Sequence, residues 1–184
     1  MTPDEALGEE WQPGPGGLPY RKAARVVVIG PDDRVLLVLG HDFGDVDHRW
    51  WFTVGGGIAP GETPREGACR ELMEETGYEA SPDDLVGPVL IRKRVFSFCQ
   101  IDVRQDEEFF LWRAPDRAIP GPAQLTSLEE DVLDEFGWWT PADLARAEAE
   151  GTTVYPEGLP ALAARWIAGW DGTCELLTDF PDED

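Results

Sequence analysis

The chain has 184 residues, with 15 Lys and Arg against 37 Asp and Glu and a formal net charge of −22 at pH 7. With 42% hydrophobic residues, it is long enough for one well-packed domain and short for two typical ones. So acidic a chain does not present the basic stripe with which a protein tracks a long polyanion, which leaves a compact, metal-complexed anion as the compatible partner.

Residues 1–20 mix Pro, Gly and acids and read as a flexible acidic arm or an edge extension, ahead of a single domain over 21–178 and an acidic tail over 179–184. Met1-Thr2-Pro3-Asp4-Glu5 lacks the basic start and apolar run of a signal peptide, and no stretch approaches the length of a membrane span. Cys69, Cys99 and Cys174 are odd in number and widely spaced, without zinc-ligand or disulfide patterning. These features fit a reducing cytoplasm.

Regular structure is expected to start near Ala23. Ala24 to Ile29 and Val35 to Leu39 are β-rich runs around the hairpin turn chemistry of Gly30-Pro31-Asp32-Asp33. Residues 41–49 read as a polar loop holding His41 and His48, and Trp50 to Val54 as the strand that follows. A helix comes next: Thr63 is a good N-cap, Pro64 suits the first helical position, Glu66 completes a capping box and Gly77 supplies a left-handed stop. Val86 to Phe98 and Gln100 to Trp112 read as two long strands, with Phe109-Phe110-Leu111-Trp112 as a buried run. Phe136 to Trp139 is a short strand; Thr140 caps a helix that ends near Gly151, and Glu157 to Trp170 forms another. A mixed sheet flanked by helices follows from these elements, an α/β class.

The helix after Thr63 carries the chemistry. At 3.6 residues per turn Glu71, Glu74 and Glu75 share about one third of its circumference, close enough for their oxygens to converge on a hard cation. Cys69, Leu72 and Met73 occupy the other side, so the helix is expected to bury an apolar back and expose an acidic front. Like charges three and four residues apart repel by a few tenths of a kcal/mol per pair, roughly, and a bound cation reverses that sign.

Gly56, five residues, Glu62, seven residues, Arg70-Glu71-Leu72, one residue, Glu74-Glu75, one residue, then Gly77 and the apolar Tyr78 reproduce a complete Nudix box. The chain therefore resembles the Nudix hydrolases. The resemblance implies the Nudix fold, a mixed β-sheet sandwiched between helices (an α/β/α sandwich), and hydrolysis of a nucleoside diphosphate linked to another group with Mg2+ or Mn2+ as cofactor. Carried over position by position, it makes Glu71, Glu74, Glu75 and the carbonyl of Gly55 the metal ligands, with Glu71 also a candidate proton acceptor. Gly56, Glu62, Arg70 and Gly77 become structural members of the box. Val54 stands where many relatives have Pro before the glycines, leaving that residue a backbone N–H and a freer φ.

The superfamily often recruits a later acid, and among Glu107, Glu108, Glu129, Glu130 and Glu135 the expected catalytic one is Glu130, between the turn-rich Ile119-Pro120-Gly121-Pro122 and Trp138-Trp139. Arg92-Lys93-Arg94 is the one basic cluster. Strand alternation sends Arg92 and Arg94 to a common face, where they are candidates for binding a substrate phosphate. Trp50, Trp51, Trp138 and Trp139 are expected in the core. The expected partner is a small nucleotide, with neither long nucleic acid nor membrane involved, and a homodimer is left open. The competing reading is a non-catalytic nucleotide sensor on the same fold; an isomerase of the isopentenyl diphosphate type is disfavoured because it needs a site Cys and further His and Glu ligands. The substrate class stays open among nucleotide sugars, ADP-ribose, dinucleotides, oxidised nucleoside triphosphates and capped RNA.

Overall fold

The run Val26-Val27-Val28-Ile29 is apolar at every position, a pattern that suits a strand covered on both faces. The computed structural model, which describes residues 7–8, 10–42, 45–98, 101–122, 125, 130 and 132–180, places this run in the middle of a mixed sheet. In chain order the elements are β1 (Gln12–Pro13), β2 (Pro19–Ile29), β3 (Val35–Asp42), β4 (Asp45–Phe52), β5 (Val54–Gly57), α1 (Pro64–Thr76), β6 (Val86–Phe98), β7 (Ile101–Arg113), β8 (Leu133–Trp139), α2 (Pro141–Ala149), α3 (Leu159–Ala168) and β9 (Glu175–Thr178).

The sheet order is β4-β3-β2-β7-β6-β9, with β1 and β5 also pairing with β2 and β8 with β3. β2 runs parallel to β7 and antiparallel to β1, β3 and β5. Period-two alternation splits β2 between two cores. Ala24, Val26 and Val28 join Leu36, Val54, Phe110 and Trp112 under Ala68 and Leu72 of α1. Val27 and Ile29 join Leu37, Trp51, Phe109 and Leu111 under Leu144 of α2 and Leu159, Leu162 and Trp166 of α3. The expected α/β/α sandwich is the fold observed.

Several expectations change. Residues 41–42 and 45–49 belong to the paired strands β3 and β4 rather than to a loop: His41 pairs with Arg49 and Gly40 with Trp50. Their polar sequence follows from position, because residues 45–49 are exposed and the strand is held by ladder bonds to β3 instead of by burial. Residues 43–44 lie outside the described residues. β2 begins at Pro19, four residues early, since Tyr20, Arg21 and Lys22 are paired with Arg104, Gln105 and Asp106 of β7 despite their polarity. The described part of the N-terminal arm is an edge extension: Gln12–Pro13 pairs with β2, and the buried Trp11 ring lies 4.4 Å from the Arg21 guanidinium carbon. β9 has no counterpart in the sequence reading; it is four residues long and runs parallel to β6. Trp51 packs edge-on against Trp139 at 5.2 Å in one core and Trp138 packs against the other, as expected, whereas Trp50 joins neither cluster and its ring meets His48 at 5.2 Å.

α1 forms as its sequence specifies. The Thr63 side chain accepts the Glu66 N–H, the Glu66 carboxylate takes the Thr63 N–H, and Gly77 closes the helix at φ 77°. Removing the cap hydroxyl in Thr63→Ala is expected to lower stability by about 1 kcal/mol. Urea unfolding with an unchanged m-value is the measurement, and no loss would mean that the cap is redundant with packing.

Candidate active site

The box helix buries its apolar back at Leu72 as expected and leaves the Glu74 side chain 32% exposed, but it does not expose its other two acids. Glu71 and Glu75 are only 6% and 3% exposed, more buried than Cys69 or Met73, which are of intermediate burial. The reason is the surface α1 meets, the backbone of β5. Gly56 has no side chain, and a Cβ there would stand 2.8 Å from the Glu71 carboxyl carbon. Gly55 has φ 134° and an added Cβ would collide with the Ala24 carbonyl, so this turn of backbone requires glycine. Its N–H donates to Glu75 Oε2 at 3.0 Å. Glu71 and Glu75 of α1 are therefore buried against a glycine strand that leaves them room and gives Glu75 a backbone donor, while Glu74 remains partly exposed.

Arg70 joins the loop to the helix. Its Nε donates to Glu62 Oε1 at 2.7 Å and its Nη2 to Glu62 Oε2 at 3.0 Å and the Gly57 carbonyl at 2.8 Å. Its Nη1 is 2.8 Å from both Glu71 Oε1 and Glu74 Oε2. Glu62 also accepts the Ala59 N–H at 2.9 Å. The hydrogen bond to Glu62 above all, with the charges of Glu71 and Glu62, raises the Arg70 pKa over the loss from burial, so the group stays charged. Arg21 lies close enough to Glu71 for that carboxylate to oppose the lowering of its pKa by burial.

Among the described residues no three acid, His or Cys side chains form a ready-made cation cage. What stands at the convergence of the Glu71 and Glu74 oxygens is a cationic nitrogen of Arg70. Two carboxylates meeting on one positive centre, with Glu75 on the same helix and the Gly55 backbone beside it, make an all-oxygen donor set that suits a hard divalent cation.

Arg92 and Arg94, the expected phosphate-binding residues, are engaged with carboxylates. Arg92 donates to Glu107 at 2.8 Å and forms a two-pronged pair with Glu157 at 2.9 and 3.0 Å. Arg94 is bound to Asp179 and lies 3.6 Å from Glu157. The two share a face, as alternation predicts, and both meet carboxylates. Glu130 is exposed, and Glu129 lies outside the described residues. His41 Nδ1 lies 3.1 Å from Asp134 Oδ2.

Sequence reasoning passed over Arg25. Its Nη1 donates to the Gly55 carbonyl at 2.6 Å and its Nε to Glu107 Oε1 at 2.9 Å. The available signal was a charge inside a buried central strand, Ala24-Arg25-Val26, matched by an opposite charge in the neighbouring Glu107-Glu108-Phe109. Burial would raise the Glu107 pKa, but Arg25 and Arg92 outweigh it and hold the carboxyl below the ordinary range.

The NUDIX domain model matches residues 19–161, and the chain belongs to that family. An RNA pyrophosphohydrolase of Bartonella quintana is 43% identical over 68 residues, spanning 34% of this chain and 39% of that protein. One of Novosphingobium aromaticivorans is 30% identical over 159 residues, spanning 65% of this chain and 94% of that protein. The chain spans well under half of the first of these. In fold it is similar to the E. coli dihydroneopterin triphosphate pyrophosphohydrolase, at 19% identity and a TM-score of 0.55, covering 81% of this chain and 96% of that one.

The Arg70 hydrogen bond, ahead of the opposing effect of burial, and the Ala59 N–H lower the Glu62 pKa. A carboxyl with a lowered folded pKa stabilises the fold above its unfolded value of about 4.3 and loses that contribution as the pH falls through the folded value. Melting temperature should therefore drop from pH 5 towards pH 3, and Glu62→Gln should show a shallower drop from a lower plateau. Parallel curves for the two proteins would remove Glu62 from this account.

Proposed function

We propose that the protein hydrolyses a pyrophosphate bond in a nucleoside diphosphate joined to another group, with Mg2+ or Mn2+ held by Glu71, Glu74, Glu75 and the Gly55 carbonyl. The observation that carries this reading is the meeting of Glu71 and Glu74 on a single cationic nitrogen within a complete box. Nudix hydrolases generally use a divalent metal, which supplies Lewis-acid polarisation of phosphoryl oxygens and lowers the pKa of the attacking water. The protein's own groups do the rest. Glu71, buried and beside Arg70, takes a proton from the attacking water, while Glu62 and Arg70 keep the glycine loop against the helix. Glu130 is the proposed later acid. Of the two strand cations, Arg94 is the more accessible to a substrate phosphate, with its side chain 28% exposed against 12% for Arg92.

An intact acid set supports catalysis over a sensor role. A cytoplasmic setting is the proposed location; Cys69 and Cys174 are free thiols, and among the described residues no helix is long and apolar enough to cross a membrane. Glu74→Gln keeps the shape of the side chain and removes its charge. Metal-dependent hydrolysis of a panel of nucleoside diphosphate derivatives is expected to fall by about two orders of magnitude or more with the fold retained. Wild-type turnover in this variant would sink the metal assignment.

A second reading is set by the relatives named RNA pyrophosphohydrolases, action at an RNA 5′ end. The net charge of −22 favours the small nucleotide instead, because it opposes docking of the polymer that follows such an end. A gel-shift titration with single-stranded RNA at low salt is expected to show weak binding at most. Tight, salt-sensitive binding would move RNA ends to first place.

A further inference from the structure

The N–H and C=O of Gly55 are gripped from two directions. With Ile58 N–H on the Lys22 carbonyl, antiparallel alternation makes Arg25 and Gly55 a pair that exchanges no ladder bonds, so both polar groups of Gly55 need partners elsewhere. The N–H goes to Glu75 and the carbonyl to Arg25 Nη1, which also reaches towards the Thr53 carbonyl at 3.4 Å. Arg25 is itself anchored. Its Nε is fixed by Glu107, whose Oε1 also accepts Gln105 Nε2 at 2.7 Å and whose Oε2 accepts Arg92 Nη1 at 2.8 Å. Glu107 is 3% exposed, and Arg92 is locked in turn by the two-pronged pair with Glu157 and lies over Tyr155 at 5.3 Å.

The geometry points to Arg25 and Glu107 as positioning residues that aim the Gly55 carbonyl at the divalent cation, with Arg92 as the brace that keeps Glu107 in place. The inference rests on the metal-site reading above. A carbonyl oxygen has two lone pairs; Arg25 takes one and fixes the peptide plane, and the other would be left for the cation. Glu107 supplies the compensating charge. A lone guanidinium beside the site would repel the cation, whereas one paired with a buried carboxylate orients the carbonyl with little net charge.

Arg25→Lys separates orientation from charge. It keeps the positive charge but loses the fork that spans Glu107 and the Gly55 carbonyl together. Mn2+ alone is titrated into the full chain without substrate, free Mn2+ is read by electron paramagnetic resonance, and thermal melts check the fold. The expected result is Mn2+ affinity weakened about tenfold in Arg25→Lys and in Glu107→Gln, the range for groups that orient metal ligands. The double variant is expected to be no weaker than the worse single one, because the two act through one bond path. Wild-type affinity in a folded Arg25→Lys, or additive losses in the double variant, overturns the inference. Should one single variant not fold, the other decides alone. Glu74→Gln serves as the reference: if it weakens Mn2+ while both positioning variants bind normally, the relay is wrong and the metal site stands; if all three bind normally, the metal-site reading fails as well.

Discussion

One guanidinium holds the candidate site together. Arg70 reaches both oxygens of Glu62, the Gly57 carbonyl, Glu71 and Glu74. One of these partners ends β5, one lies in the loop and two lie on the helix, so the side chain ties the three segments together. It also offsets the repulsion of carboxylates crowded within two helical turns. A lysine at this position would bring the charge without the planar fork, and could not span the loop and both helix acids at once.

β2 performs a second organising role. Its even positions meet α1 and its odd positions meet α2 and α3, but the odd face changes character along the strand. At Val27 and Ile29 it is core; at Arg21 and Arg25 it meets Gln105 and Glu107 of β7. A buried ion pair of this type is rarely more stable than well-packed apolar side chains of similar volume, since desolvation offsets much of the Coulomb attraction. Its presence next to Gly55 is better explained by directional hydrogen bonding than by stability.

Local signals were the legible ones. Caps, turn residues and period-two runs act over a few residues, and α1, the β2–β3 turn, the long pair β6 and β7, and α2 with α3 follow from them. The complete box likewise identified the family from spacing alone. The strand pairing of residues 41–42 with 45–49 and the strand β9 were not legible, because ladder bonds from a neighbouring strand hold them where the side chains alone show no strand pattern. Glu71 and Glu75 depart from the amphipathic pattern for a related reason: a charged side is expected to face water, and here these two face the glycine strand while Leu72 is buried as the pattern implies.

By itself the sequence determined the secondary structure around the box, the acid spacing on α1 and membership of the family, because each is written within a short stretch of chain. The tertiary structure alone decided that Glu71 and Glu75 are buried, that Arg92 and Arg94 meet carboxylates, and that Arg25, thirty residues before Gly55, holds its carbonyl. Those outcomes depend on which strands are neighbours and on which groups lack a partner once the ladder has formed. Such facts exist only after distant segments have been brought together.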